Sequence, residues 1–243
     1  MADAAAAAAA AALESEPTLS AVEVFARVPA SAVRWAERQC RWETFRPGAG
    51  LLRFGERTSH VLFLWQGRVR VLNYSSAGRV VGFASVGPGG MVGELAAIDG
   101  LPRSASVVVL APTVAARLSG EDFRELMRIS PEFTRALVRH LAKIVRASDA
   151  HIMDLAELNA SQRVCLQLLR LAEPDAAVQR TWVVHPLPTQ AMIASEAGTT
   201  RETVARVMGR LADQGIIERK GRSLFLRDRD QLELLTVREP SAA

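Results

Sequence analysis

From about Leu19 to Leu118 the apolar residues fall into short runs punctuated by glycine. Leu51-Leu52-Arg53-Phe54 stops at Gly55, and Val61 to Trp65 stops at Gln66-Gly67. Val69 to Leu72 leads to Ala77-Gly78, and Val80 to Val86 ends in Gly87-Pro88-Gly89-Gly90. Ser106 to Leu110 and Val114 to Leu118 add two more. Short runs rich in Val, Leu and Phe between turn residues predict antiparallel strands closing into a sandwich or barrel. Leu19 to Gln39 predicts a helical entry segment.

A helical period then takes over. Gly120-Glu121-Asp122-Phe123 opens a short helix, and Ser130-Pro131-Glu132 opens a long one, with Ser130 as N-cap and Pro131 at the first helical position. Along the long helix Leu137, Leu141, Ile144, Ser148, His151, Leu155 and Leu158 alternate four and three apart, a heptad seam. Such a seam pairs with its twin in a parallel homodimer or packs on its own sheet domain; Ser148 and His151 interrupt it and need a partner or ligand. Past Asn159-Ala160-Ser161 a helix is predicted from Gln162 to Leu171. Glu173-Pro174-Asp175 breaks it, and Trp182-Val183-Val184 reads as a strand.

Two short helices joined by a glycine turn follow. Thr189 to Ala194 forms the first, and the second begins after Gly198 with Thr199, Thr200, Arg201, Glu202 and Thr203, carrying Arg206 one turn on. The first turn of such a helix meets base edges when it enters a major groove. Arginine forks onto guanine O6 and N7, and glutamate accepts from cytosine N4. An amphipathic surface helix with no DNA partner carries the same pattern, so this motif alone leaves both readings open. Gly215 to Leu226 then alternates around Lys220-Gly221 as a hairpin with a basic tip, and helix-turn-helix plus hairpin makes a winged unit. Arg201, Glu202 and Arg206 are assigned to bases, and Thr189, Thr200, Lys220 and Arg222 to phosphates. Gln190, Thr199 and Thr203 complete the predicted DNA-binding set.

Composition narrows the class. The 243 residues suffice for two modest domains, with 49% hydrophobic and 23% charged residues and a net charge of +4. The cations are local, with Arg201, Arg206, Arg210, Arg219, Lys220 and Arg222 in one stretch. Cys40 and Cys165 match no zinc or iron–sulfur spacing and read as core thiols of a reduced, cytoplasmic protein. No metal is expected. No apolar run reaches the ~18–20 residues of a membrane helix. Residues 1–18, with alanine unbroken from Ala4 to Ala12, read as a disordered tail without a secretion signal's basic start. No nucleophile–base pair, metal-ligand set or phosphate loop is present, so no catalytic residue is assigned and the chain is not expected to be an enzyme.

These motifs together resemble the Crp/Fnr superfamily of bacterial transcription regulators, on the side of its catabolite activator branch, from about residue 20 to 235. The glycines Gly48, Gly55, Gly67, Gly78 and Gly89 match the family's framework. Gly93-Glu94-Leu95-Ala96 and Pro102-Arg103-Ser104-Ala105 match its phosphate-binding cassette, and Thr200 to Arg206 its recognition helix. The resemblance implies an α+β chain: a cyclic-nucleotide-binding β-roll over 19–128, a dimerisation helix over 129–159, and a winged helix-turn-helix over 160–243. It implies that Glu94 accepts the ribose 2′-hydroxyl, and that Arg103 and Ser104 hold the cyclic phosphate with backbone from Gly93 and Ala105. An arginine fork suits a buried phosphate. An internal Glu94–Arg103 salt bridge in an empty roll is the competing reading.

Two family positions that contact the base fall on Ser148, which keeps a hydroxyl, and Asp149, which departs from the pattern. Cyclic AMP is therefore placed ahead of cyclic GMP only modestly. The resemblance further implies a homodimer on a pseudo-palindromic double-stranded operator, with RNA polymerase as partner and no membrane. The alternatives are a regulator of this family with another effector or none, and a regulatory subunit whose nucleotide roll controls an attached partner.

Overall fold

The computed structural model describes residues 16–74, 80–175 and 181–236. The alanine-rich start, the Ala77-Gly78 turn and the final residues lie outside these. The chain divides into two compact units, one running up to Lys143 and the other taking in everything from Ile144, with Tyr74–Gly82 grouped with the second. The expected antiparallel sheet, long helix and small winged unit are all present.

In the first unit the helical entry segment is only partly helical. Leu19–Ala21 and Glu23–Phe25 are 3₁₀ turns, and the first full helix, α1, is Ala30–Gln39. The strands β1 (Arg41–Phe45), β2 (Gly50–Leu52), β3 (Val61–Tyr74), β4 (Val80–Val86), β5 (Met91–Val92) and β6 (Ser106–Leu118) form one antiparallel system. Its order is β1-β6-β3-β4, with β2 on β6 and β5 on β3.

Two pairs of predicted strands prove to be single long ones. Val61–Trp65 and Val69–Leu72 fuse into β3, and Ser106–Leu110 and Val114–Leu118 into β6. Gln66-Gly67 is a bulged stretch within the β3–β6 ladder rather than a turn. Gly67 has φ +91° and lies so close to β6 that a Cβ would collide with the Thr113 hydroxyl and the Pro112 carbonyl. Strand β1 escaped sequence reading because Arg41-Trp42-Glu43-Thr44-Phe45 carries little apolar alternation. It is held by its ladder to β6 and by a two-pronged Arg117–Glu43 ion pair at 2.7 and 2.9 Å.

Alternation along β3 separates two cores. Val61 and Phe63 face the helices, while Leu62 and Leu64 face the roll interior with Leu52, Val92 and Val107. On the helical side α2 (Glu94–Asp99), α3 (Gly120–Ile129) and the start of α4 (Pro131–Glu157) enclose a ring cluster. Phe25 meets Phe63 and Phe133 at 5.2 Å, and Phe123 meets Phe133 edge-on at 5.5 Å.

Helix α4 begins at Pro131, with Ser130 Oγ accepting from the Phe133 backbone at 3.3 Å. Its apolar stripe differs in register from the predicted seam. Leu137 is 1% exposed, embedded in the core of its own unit; Ile144 (39%) and Leu155 (44%) of the predicted seam are exposed, but less so than Val138 (58%), Val145 (58%) and Ile152 (61%). With Leu141, Ser148 and Leu155 these last three make a three-four series turned by roughly 50° from the predicted one. Ser148 stays in this seam; His151 leaves it.

The second unit contains α5 (Ala160–Leu171), α6 (Gln190–Glu196), α7 (Arg201–Asp213) and α8 (Arg229–Leu234), with a sheet in the order β7-β8-β10-β9. Its strands are Glu173–Pro174, Trp182–Val184, Ile217–Lys220 and Ser223–Leu226, numbered β7, β8, β9 and β10. Asn159 and Gln162 close a capping box at the start of α5. Val164, Leu168, Ile193, Val204, Val207, Leu211 and Leu224 form the core. Helix α8 was not foreseen, although Asp228 three residues before Gln231 is a capping signal, and Leu232 is fully buried.

Candidate ligand pocket and nucleic-acid interface

The cassette residues sit at the junction of β5 and α2. Gly93 turns the chain with φ +92°, and a Cβ there would lie 2.8 Å from Arg103 Nη1 and 2.9 Å from the His60 carbonyl. Only glycine suits that position. Glu94 is 7% exposed and Arg103 2% exposed, whereas Leu95 and Ser104 face solvent and Ala105 is half-buried.

Arg103 is held by protein oxygens. Its Nε donates to Thr58 Oγ1 at 2.9 Å, Nη1 to the Gly93 carbonyl at 2.9 Å, and Nη2 to the His60 carbonyl at 2.7 Å. The expected internal alternative, a Glu94–Arg103 salt bridge, is not how these donors are used. One N–H remains on each Nη, enough for a two-pronged contact to a phosphate. Thr58 and the His60 carbonyl were missed by sequence reading; they stand in a loop far from the cassette, and nothing local marks them.

Burial pushes the Glu94 carboxyl above the ordinary carboxylate range, opposed by hydrogen bonds from the Glu94 and Gly93 backbone and by the charges of His140 and Arg103. His60 is lowered to about 4, first by burial and then by Arg117 and Arg103. Its Nε2 is buried without a hydrogen-bond partner among the described residues. Ser148 and Asp149 are exposed on the distal half of α4.

In the second unit, Thr189 caps α6 by accepting from the Met192 backbone at 3.2 Å, and Thr200 caps α7 by accepting from Thr203 at 3.3 Å. Gly198, at φ +58°, makes the turn between them. Val204, Val207 and Leu211 face inward, which leaves Arg201, Glu202, Arg206 and Arg210 exposed. Gln190, Thr199 and Thr203 are half-buried, so they have less surface to offer. Glu202 is held below the usual carboxylate range by its own backbone N–H, the Thr200 hydroxyl and Arg201.

The hairpin turns at Gly221, φ +58°, with Arg219, Lys220 and Arg222 exposed around it. Lys220 is tied to Glu218 at 3.1 Å, and the same carboxylate takes Arg227 at 2.5 Å. Glu218, which sequence reading passed over, therefore restrains two of the wing's cations. Among the described residues there is no metal-binding cluster, and no helix is long and apolar enough to cross a membrane.

Arg163 joins the ends of three segments. Its Nε donates to the Ala197 carbonyl at 2.8 Å, Nη1 to Leu158 at 2.6 Å and Nη2 to Gly198 at 3.0 Å. These carbonyls close the end of α4 and the turn between α6 and α7, where helices leave acceptors unsatisfied.

Residues 42–130 match the model of the cyclic nucleotide-binding domain, and residues 162–235 that of the Crp-like helix-turn-helix domain. The chain is 28% identical over 216 residues to the CRP-like cAMP-activated global transcriptional regulator of Mycobacterium tuberculosis, covering 88% of this chain and 96% of that protein. It is 27% identical over 201 residues to the cAMP-activated global transcriptional regulator CRP of Salmonella typhimurium, covering 80% and 93%. The fold also superimposes on FixK2 from Bradyrhizobium japonicum with a TM-score of 0.70 at 24% identity, over 83% of this chain and 99% of that one. With both domain types present in order, the chain belongs to the Crp/Fnr family of DNA-binding transcription regulators and is not an enzyme.

Proposed function

We propose that this regulator works as a homodimer whose fit to DNA is controlled by a cyclic nucleotide, cyclic AMP ahead of cyclic GMP. The observation that carries the reading is the buried pair Glu94 and Arg103 in the cyclic nucleotide-binding domain. A carboxylate and a guanidinium kept from water need a polar ligand or each other, and Arg103 points its used donors elsewhere. Phosphate would take the two remaining Nη protons with Ser104, while Glu94 would accept a ribose hydroxyl.

Dimerisation would use the series Val138, Leu141, Val145, Ser148, Ile152 and Leu155 on α4, with Ser148 and Asp149 near the base. Nucleotide acts only through its different affinity for two arrangements of the dimer. In the competent arrangement two copies of α7 would enter successive major grooves of a pseudo-palindrome. Arg201, Glu202 and Arg206 would read bases, with Thr189, Thr200, Lys220 and Arg222 on phosphates and RNA polymerase as the downstream partner.

The test is a gel shift on randomised duplexes with cyclic AMP, with cyclic GMP and with neither. Cyclic AMP is expected to select a palindromic site, and Arg103→Ala to remove the response while leaving non-specific binding intact. Identical selection with and without nucleotide would refute nucleotide control. A second reading, another effector in the same roll, is favoured by Asp149, whose negative charge departs from the hydroxyl expected beside a purine.

A further inference from the structure

A cleft of about 330 Å³ lies in the first unit, outside the roll. Met91 lines it and belongs to the helical core, whereas the next residue, Val92, faces the roll interior. The cleft and the roll interior are therefore on opposite sides of β5. The cleft's walls are the 3₁₀ turns near Glu23, the Gly89-Gly90 turn and one face of α4.

Its charge is lopsided. Arg27, Arg139 and Lys143 line it against one carboxylate, Glu23, so two fixed positive charges are left over. Arg139 and Lys143 are four apart on α4 and share a face. Glu23 forms an ion pair with Lys143 across the cleft, and that cation holds the Glu23 carboxyl below its usual range. His140 also lines the cleft, and its Nε2 is buried with no hydrogen-bond partner among the described residues. Buried polar nitrogens ordinarily have partners.

The helix face involved, Ala136, Arg139, His140 and Lys143, is nearly opposite the Val138, Leu141, Val145 and Ile152 series. A dimer built on that series leaves the cleft open.

We propose that this cleft is a second effector site, for a small multivalent anion bearing phosphate or carboxylate groups. The anion bridges Arg27 to Arg139 and Lys143, displaces Glu23 from Lys143 and accepts from His140. The volume suits a compact ligand. By tying the 3₁₀ turns to α4 it stiffens the proximal part of the dimer helix, and it reaches that helix without using Arg103.

The test is calorimetry and thermal unfolding of the full chain with pyrophosphate and, separately, citrate, which distinguish a phosphate from a carboxylate preference. Binding of either is expected in wild type, and about tenfold weaker in Arg139→Gln and in Arg27→Gln. Glu23→Gln removes the built-in competitor and should tighten binding, which a purely structural Glu23–Lys143 pair would not do. No binding of either anion at millimolar concentration overturns the proposal. So does equal binding by wild type and Arg139→Gln.

Discussion

Gly198 lies so close to Leu155 that a Cβ built on it would sit 2.7 Å from Leu155 Cδ2. The contact joins the last part of α4 to the turn between the two DNA-binding helices, and Arg163 reinforces it through the carbonyls of Leu158, Ala197 and Gly198. Gly198→Ala therefore meets a left-handed φ of +58° and must push the exposed end of Leu155 aside. It should destabilise the second unit by about 1–2 kcal/mol in urea denaturation, mainly through the backbone.

Arg163→Lys keeps the charge but loses the fork that serves three carbonyls. A loss of about 1–3 kcal/mol is expected. The same variant should weaken the coupling between effector and DNA more than it weakens effector binding, measured by titrating each with the other present.

Buried Glu94 and half-buried His60 give opposite pH dependences. Glu94, raised by burial, favours its protonated form in the fold. Its contribution is complete below the ordinary 4.5 and is lost as pH rises through the raised value. His60, lowered to about 4, contributes above its ordinary 6.5 and loses that contribution as pH falls through about 4. In thermal melts without ligand, Glu94→Gln should be more stable than wild type at pH 7. His60→Gln should show a smaller fall in stability between pH 6.5 and 4. Melts that shift in parallel with wild type would contradict both.

The register of α4 is testable by oligomeric state. Ile152→Glu puts a charge in the exposed apolar series and should raise the dimer dissociation constant about a hundredfold. His151→Glu, one residue away and outside the series, should leave sedimentation unchanged. The reverse result would restore the seam predicted from Leu137, Ile144 and His151.

For DNA, Arg201→Ala should relax sequence choice at one position by ~1–3 kcal/mol. Lys220→Ala should weaken all sequences alike and lower the salt slope by about 1. Glu218 holds Lys220 and Arg227, so Glu218→Gln should strengthen binding to every duplex and steepen the salt slope. Equal losses on operator and random DNA for Arg201→Ala would remove it from base reading.

The elements that announced themselves in sequence were those whose signals are local. Ser130-Pro131, Asn159 with Gln162, and Thr200 before Arg201 each mark a helix start by chemistry within one turn. What stayed hidden depended on distant partners. Gly67 reads as a turn until Thr113 and Pro112 are seen against it. Strand β1 exists because β6 runs past it. Leu137 drops out of the α4 seam because it belongs to the Phe133 core, a long-range fact that heptad spacing does not encode. At the pocket, sequence named Glu94 and Arg103, but the groups holding Arg103 in place, Thr58 and the His60 carbonyl, come from a different loop.

Phe133 and Leu137 are sealed at 0% and 1%, yet no described side chain beyond Leu137 in the same helix is buried. The helix is thus clamped at its root by the core of the first unit, while its later turns bury no side chain fully. Screwing it bodily about its axis would drag an aromatic ring out from between Phe25 and Phe123. Torque on this helix therefore meets its resistance at the root, where the packed ring cannot turn without leaving its neighbours.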